Sequence, residues 1–291
     1  MPSITRANPN PSFPLSRAPL LHELTFMNTA SWRDDLWNTA TSTKILPVFD
    51  GIIMESLRLI NDQTSSFASI ENVIRHDQSI TAKLISMANS AFYGRGVPIA
   101  TLRRAMIAVG LEQTKQIITC IILIDGIFKR MRLSRDASQH LTRHALLLSY
   151  TAQRLAEKTL LVQPDKAFIA GLIHDIGKGI FCLRDHSYPY LADQVAETGG
   201  DLCGFEREIY GIDHEETGYC LSIKWRFPEE LVNVVSHHHG LEGQTDPLVE
   251  IVRIAQSLWT CAEQDVPPEA AILLPERQRI EQQVDRIAGE L

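Results

Sequence analysis

The chain has few cysteines, and none of them is placed to pair with another. They are odd in number, lie far apart and include no C-x-x-C pair: Cys120, Cys182, Cys203, Cys220 and Cys261. This pattern argues against a disulfide scaffold and against a thiolate zinc site. We therefore predict that the cysteines are small buried apolar residues in a protein of the reducing cytoplasm.

Long hydrophobic runs are also absent. The most apolar run, from Ile117 to Ile124, contains Thr119 and is far shorter than the roughly 20 residues that a membrane-spanning helix needs. The start of the chain has no apolar segment behind a positive cluster, so no secretory signal is predicted. We expect no membrane association.

The motifs of several common enzyme classes are missing as well. The chain holds no P-loop, no dinucleotide fingerprint and no G-x-S-x-G nucleophile elbow. No segment alternates apolar and polar residues between hairpin turns, as a half-buried strand would. The chain has 291 residues, of which 44% are apolar and 22% are charged. This is a typical balance for a globular protein with a buried core.

Apolar residues recur at helical spacing along most of this chain, and we therefore predict an all-α fold. Between Val48 and Ile60, for example, Ile52, Ile53 and Leu57 share one helical face. The predicted helices cover Val48–Ile60, Ile70–Arg75, Ile80–Met87, Thr101–Gly110, Glu112–Lys129, Ser134–Leu155, Asp165–Phe181, Tyr188–Glu197, Cys203–Tyr210, His214–Lys224, Pro228–His238, Val249–Glu263 and Arg277–Gly289. Predicted caps are Ser69, Thr101 and Ser134 at N-termini, with Gly110 and Gly199–Gly200 at C-termini.

The first 44 residues are not part of this helical pattern. Five prolines fall within the first 19 residues, where they prevent a helix or a strand from propagating. We predict a partly disordered leader over residues 1–44, with Trp32 and Trp37 as anchors on the body of the protein.

Charge is spread unevenly around a net value of −7. Residues 101–158 carry ten basic and four acidic residues, a sum of +6, whereas residues 201–291 carry seven and eighteen, a sum of −11. The basic residues alternate with apolar ones at helical spacing, which indicates the solvated faces of amphipathic helices. Binding to nucleic acid would rest on this charge alone, without a recognition helix or stacking aromatics, and is not expected.

Six histidines in or at the ends of predicted apolar helices form the clearest chemical pattern: His144, His174, His214, His237, His238 and His239. Imidazoles bind zinc, iron and manganese, and the carboxylate of Asp175 could bridge two ions. On a helix, His174 and Asp175 would point about 100° apart, so the site needs ligands from other helices. The alternative is that these histidines are hydrogen-bonded residues of a helical core.

A site with two such ions would generate hydroxide near neutral pH and clamp a phosphate during in-line displacement. Lys178, one helical turn after His174, would contact the phosphate of a substrate. This chemistry predicts a metal-dependent phosphohydrolase if the ligand set is complete.

Several strings in the chain resemble the HDOD family, whose domain is related to the HD phosphohydrolases. The strings are IRHDQSITAKLISMANSAFYG, TLRRAMIAVGLEQTKQII, FIAGLIHDIGKGIF and ERE-IYGIDHEETGYCLSIKWRFPEELVNVVSHHH. The resemblance extends over about residues 45–240. It implies a two-lobed helical bundle, with an HDOD lobe over residues 45–135, an HD-like lobe over residues 136–263 and a helical extension over residues 264–291.

The resemblance also implies positions for a metal site. His144 matches the first HD-family histidine, and His174 with Asp175 matches the HD pair. His214, His238 and His239 match the later histidines of the family. His237 occupies a position that is usually an aromatic residue in the family. HD enzymes end this set with an aspartate in a context like I-A-D-x-L, whereas this chain has IVRIAQSLW, with Gln256 at that position.

An amide is a poorer ligand than a carboxylate for a hard cation, and it removes one negative charge from the site. The expected cofactor is iron, manganese or zinc, in one or two ions, with an empty site as the alternative. HDOD proteins typically serve as bacterial signalling modules, so we predict a non-catalytic regulatory module. It would bind a signalling protein in a two-component or second-messenger pathway, and the Phe92–Tyr93 loop is a candidate part of the interface. The alternative is a phosphohydrolase of nucleotides or cyclic dinucleotides.

Overall fold

A computed structural model describes residues 28–42, 62, 64–75, 77–90, 98–124, 131, 133–240 and 246–290. In this part of the chain all regular structure is helical. The helices are α1 Thr29–Thr41, α2 Phe67–Ile74, α3 Gln78–Asn89, α4 Leu102–Val109, α5 Leu111–Ile124, α6 Arg135–Thr159, α7 Pro164–Ile173, α8 Lys178–Arg184, α9 Tyr188–Glu197, α10 Leu202–Tyr210, α11 His214–Lys224, α12 Glu229–His237, α13 Pro247–Thr260, α14 Pro268–Ala271 and α15 Arg277–Glu290. The prediction of an all-α fold is confirmed.

Most helix ends follow local capping chemistry. The side chains of Thr101 and Ser134 accept hydrogen bonds from backbone amides at the starts of α4 and α6, as predicted. Gly110 ends α4 with a φ of 93°, a conformation that favours glycine. The predicted N-cap Ser69 is wrong. The cap of α2 is Ser66, whose side chain accepts the hydrogen bond from the Ser69 amide, and α2 begins at Phe67.

One predicted helix is divided in two. Instead of a continuous helix over Asp165–Phe181, α7 ends at Ile173 and α8 begins at Lys178, with a turn over residues 174–177. The prediction that His174 and Asp175 lie on one regular helix is therefore wrong. The turn is imposed by packing against α11, which the apolar periodicity of the segment does not reveal.

Helix α6 is the centre of the second half of the chain. It packs along α7 and also contacts α8, α13 and α15. The contact with α7 is close because Gly171 has no side chain: a Cβ there would lie 2.6 Å from the carbonyl oxygen of Leu148. Buried side chains from α1 to α15 join in one main apolar cluster, with a smaller one around Leu191 and Phe205.

Helix α1 lies in the stretch predicted as leader and packs against α8, α10 and α11. Trp32 meets the ring of Tyr210 edge to face at 5.4 Å, so its predicted role as an anchor is confirmed. Trp37 is 45% exposed and is not an anchor; Leu36 and Ala40 are fully buried instead. The predicted helix over Val48–Ile60 and the Phe92–Tyr93 loop lie outside the described residues.

Within the described ranges, no single helix has both the length and the apolar character to cross a membrane. The pair α4 and α5 meets both criteria only when taken together, and it is bent by 114°. The side chains of α5 from Ile117 to Ile124 are buried in the core.

The cysteines among the described residues are free thiols. Cys120, Cys182 and Cys203 are buried, as predicted, whereas Cys220 and Cys261 are half-buried. Burial raises the pKa of Cys182 to about 12, so this thiol stays protonated at neutral pH.

Candidate metal centre

Four helix ends and one helix interior bring the predicted site residues together. His144 lies within α6, His174 and Asp175 occupy the turn after α7, and Lys178 begins α8. The remaining histidines come from α11 and α12: His214 is the first residue of α11, and His238 and His239 follow the end of α12.

The turn between α7 and α8 decides where Asp175 lies. Gly177 packs directly on the first turn of α11, where a Cβ would be only 1.9 Å from the carbonyl oxygen of His214. Asp213 caps α11 by accepting from the amide of Glu216, and the Glu216 side chain accepts from the Asp213 amide in return. The capped start of α11 and the glycine contact together place His214 beside Asp175.

The carboxylate of Asp175 is the centre of the cluster, and its two oxygens face different histidines. Oδ2 lies 3.1 Å from Nε2 of His144 and 3.1 Å from Nε2 of His174. Oδ1 lies 3.4 Å from Nε2 of His214 and 3.2 Å from Nε2 of His238. We call His144, His174 and Oδ2 the His144 half, and His214, His238, His239 and Oδ1 the His214 half; in each half the donor atoms lie within 4.8 Å of one another.

Hydrogen bonds fix the tautomers of three histidines. Nδ1 of His174 donates to the carbonyl oxygen of Gly171 at 2.8 Å, and Nδ1 of His238 donates to that of Val234 at 3.1 Å. Nδ1 of His214 donates to Glu206 Oε2 at 2.7 Å. In each neutral ring Nε2 then carries a lone pair that faces Asp175, which is the form of imidazole that binds a metal ion.

The lone pairs of these Nε2 atoms face one another and Asp175, and they repel unless a cation lies between them. Nε2 of His144 and Nε2 of His174 are buried and make no hydrogen bond to the described residues. Nε2 of His214 and Nε2 of His238 approach each other to 3.2 Å. Around one ion with bonds of about 2.1 Å, tetrahedral donors are separated by roughly 3.4 Å, so the observed spacings of 3.1–3.4 Å fit a divalent metal.

Electrostatics favour the protonation states that ligands need at His174, His238 and Asp175, but not at His214. Burial lowers the pKa of His174 and of His238, which keeps both rings neutral at pH 7. Burial alone would raise the pKa of Asp175, but His174 and Lys178 hold it well below the ordinary value of an aspartate. For His214, the effect of Glu206 outweighs burial and raises the pKa.

Lys178 is buried rather than exposed to solvent. Its Nζ donates to Asp175 Oδ2 at 2.7 Å, and the side chain is 11% exposed. Although burial opposes it, the neighbouring carboxylate raises the pKa of Lys178, so the ammonium keeps its charge.

Glu206 on α10 supports the site and was not found by sequence analysis. Its side chain is fully buried. Oε2 accepts from the backbone amide of His214 at 2.8 Å and from Nδ1 of the same residue, while Oε1 accepts from the hydroxyl of Tyr188. A carboxylate in this position orients a ligand histidine and raises its basicity.

Two residues that the sequence analysis considered, His237 and Gln256, lie outside the cluster. His237 is exposed and faces Ser236 and Asn233. Gln256 is half-buried on α13, and no hydrogen bond joins its amide to the cluster in the described part of the chain. The other five predicted histidines and Asp175 do converge.

We expect Glu206→Gln to weaken binding of Mn²⁺ by about 10- to 100-fold, because the amide keeps an acceptor for His214 but loses the negative charge. The measurement is a metal titration of the purified protein. Glu208→Gln, two residues further along α10 on an exposed side chain, is the matched control and should bind like the wild type. Equal affinity of both variants would contradict this role of Glu206.

Comparison with known proteins agrees with this architecture. A sequence model described as the HDOD domain matches residues 46–241. An HDOD domain protein of unknown function from Geobacter sulfurreducens is 22% identical, with a TM-score of 0.68; the match covers 83% of this chain and 93% of that one. A candidate signal transduction protein from Marinobacter aquaeolei VT8 is 17% identical, with a TM-score of 0.67, over 92% of this chain and 67% of that one.

Two further relatives complete the comparison. A candidate phosphohydrolase from Shewanella amazonensis SB2B is 19% identical, with a TM-score of 0.60, and the match covers 88% of this chain and 98% of that one. An uncharacterized protein of Treponema pallidum (strain Nichols) is 24% identical over an alignment of 236 residues that covers 77% of this chain. The match spans only 44% of that curated relative.

Proposed function

The chain belongs to the HDOD domain family, and from this premise we propose that it is a non-catalytic signalling module whose His/Asp cluster holds a divalent metal ion as part of the fold. The burial of the cluster is the observation that carries the proposal. His174, His214 and His238 are fully buried, and the side chains of Asp175 and Lys178 are 7% and 11% exposed. Of the ligands, only His144 and His239 reach the surface, so a substrate phosphate would have access to the ions from those two sides alone.

The ligand set supports the same proposal. The final carboxylate that the family resemblance implies is replaced by Gln256, which lowers the negative charge available to two divalent ions. The remaining ligands suffice to hold a metal that stabilises the fold, because metal binding adds directly to folding free energy.

The proposed partner is another signalling protein, and the free thiols fit a role in the reducing cytoplasm. Helices α1 and α11 pack together and present large exposed apolar side chains: Trp37, Tyr219 and Ile223 are 45%, 48% and 52% exposed. Where such side chains form one contiguous patch, they mark a protein contact surface.

A second candidate function is a metal-dependent phosphohydrolase acting on a nucleotide or a cyclic dinucleotide. The observation in its favour is that both oxygens of Asp175 face imidazole ligands, as a bridging carboxylate between two ions would. Two ions would polarise the phosphate and activate a water, with Lys178 close to the developing charge. The names of similar proteins include both a signal transduction protein and phosphohydrolases.

We expect the wild-type protein, purified without chelator under low oxygen, to retain iron, manganese or zinc and to hydrolyse no phosphodiester faster than an Asp175→Asn control. The assay uses bis-p-nitrophenyl phosphate, nucleotides and cyclic dinucleotides with each metal added. Turnover by the wild type above this control would establish the phosphohydrolase instead. Folded wild-type protein that takes up no metal would overturn the metal centre.

A further inference from the structure

The two halves of the cluster differ in their ligands and in the positive charge that already lies beside the Asp175 oxygen. The His214 half offers Asp175 Oδ1 and three imidazoles, whereas the His144 half offers Oδ2 and only two. The difference matters because both halves share the single negative charge of Asp175.

The direct contact of Lys178 is with the Asp175 oxygen of one half, although its charge also acts on His214 and His239. Its Nζ is 2.7 Å from Oδ2, the same oxygen that His144 and His174 approach to 3.1 Å. Since Lys178 follows Asp175 by three residues across the start of α8, the backbone itself holds the ammonium at this oxygen. The contact is buried, so water does not screen the two charges.

We propose that Lys178 supplies the positive charge of the His144 half, so that the chain binds one divalent ion, in the His214 half. This inference rests on the metal centre of the proposed function. The ammonium neutralises Oδ2, and a second divalent ion bound there would be repelled by a buried cation a few ångströms away. Nζ and such an ion also compete for the same lone pairs of Oδ2.

The ligands of the His214 half are better prepared for an ion. Nδ1 of His214 and Nδ1 of His238 are both held by acceptors, which direct the two Nε2 atoms to Oδ1. The amide of His239 donates to Glu215 Oε1 at 2.8 Å, which fixes the chain next to His238. These contacts hold two imidazoles, and the backbone beside the third, before a metal arrives. In the His144 half Nδ1 of His174 is held in the same way, but the ammonium occupies Oδ2.

The test is the stoichiometry of Mn²⁺ binding to the full chain, measured by titration and by metal analysis after gel filtration. We expect about one Mn²⁺ for the wild type and for Lys178→Arg, and about two for Lys178→Met, which is uncharged but similar in length. The second ion of Lys178→Met should bind at least about 100-fold more tightly than any second ion of the wild type. Electron paramagnetic resonance should show an isolated Mn²⁺ in the wild type and a coupled pair in Lys178→Met.

Two equivalents in the wild type, or one in a folded Lys178→Met, would overturn this inference and leave the metal centre in place. No Mn²⁺ bound by any of the three proteins would overturn the metal centre of the proposed function and this inference with it.

If Lys178→Met does not fold, the two halves are compared directly. His144 and His239 are the ligands of each half that reach the surface, so their alanine variants are a matched pair. We expect His239→Ala to lose at least about 10-fold more affinity for Mn²⁺ than His144→Ala does. The opposite order would place the ion in the His144 half and overturn the inference.

Discussion

Asp175→Asn is expected to abolish metal binding and to destabilise the protein, because this carboxylate is the one ligand common to both halves of the cluster. The amide would also leave the buried ammonium of Lys178 without its partner at 2.7 Å. Removing one member of a buried ion pair typically costs about 3–5 kcal/mol in the free energy of unfolding. Metal analysis and denaturant unfolding of the chelator-treated proteins measure the two effects separately.

A second variant separates the lost ion pair from the lost ligand. In Asp175→Asn with Lys178→Met, the uncompensated charge is gone, so much of the stability should return while metal binding stays absent. Comparing both single variants with the double variant gives the coupling energy of the pair. A double variant as unstable as Asp175→Asn alone would show that the Lys178 charge is not the cause of the instability.

The helices of this protein could be predicted largely because their ends depend on local chemistry. Thr101, Ser134 and Pro228 stand at the starts of helices, where a side-chain acceptor or a fixed φ acts within a few residues. The predicted range of α11, from His214 to Lys224, agrees with the structure at both ends. Such signals need no knowledge of the tertiary fold.

The break between α7 and α8 could not be predicted in this way. The string FIAGLIHDIGKGIF is apolar enough to continue as one helix, and glycine alone is only a weak signal for a break. The turn at residues 174–177 exists because Gly177 meets α11, a contact across some forty residues of sequence. Its consequence is that His174 Nε2 and Asp175 Oδ2 lie 3.1 Å apart rather than on different helix faces.

In the site, too, some residues could be named from the sequence, whereas the roles of others depend on tertiary packing. Resemblance to the family was enough to name Asp175 and the five histidines around it. Glu206 was missed because the string FEREIY contains two glutamates, and only packing shows that Glu206 is buried beside His214 whereas Glu208 faces solvent. Lys178 was predicted as a contact for substrate, yet which Asp175 oxygen it binds depends on the turn.

The close packing of the turn predicts a second large effect on stability. A Cβ at position 177 would lie 1.9 Å from the carbonyl oxygen of His214 and 2.7 Å from the amide nitrogen of Gly218. Both are backbone atoms of α11, so no rotamer change of a side chain relieves the overlap. The turn and the start of α11 would have to move apart, and they carry Asp175 and His214.

Gly177→Ala should therefore lower the free energy of unfolding by about 3 kcal/mol or more, which corresponds to a fall in Tm on the order of 10 °C. It should also weaken binding of Mn²⁺ in the fraction that stays folded, because separating Asp175 from His214 opens the His214 half. Gly289→Ala is the matched control: no atom lies within 4 Å of its Cβ, and alanine favours the helix. Thermal unfolding with and without Mn²⁺ tests both effects. A Gly177→Ala variant as stable as Gly289→Ala would mean that α11 does not set the position of Asp175.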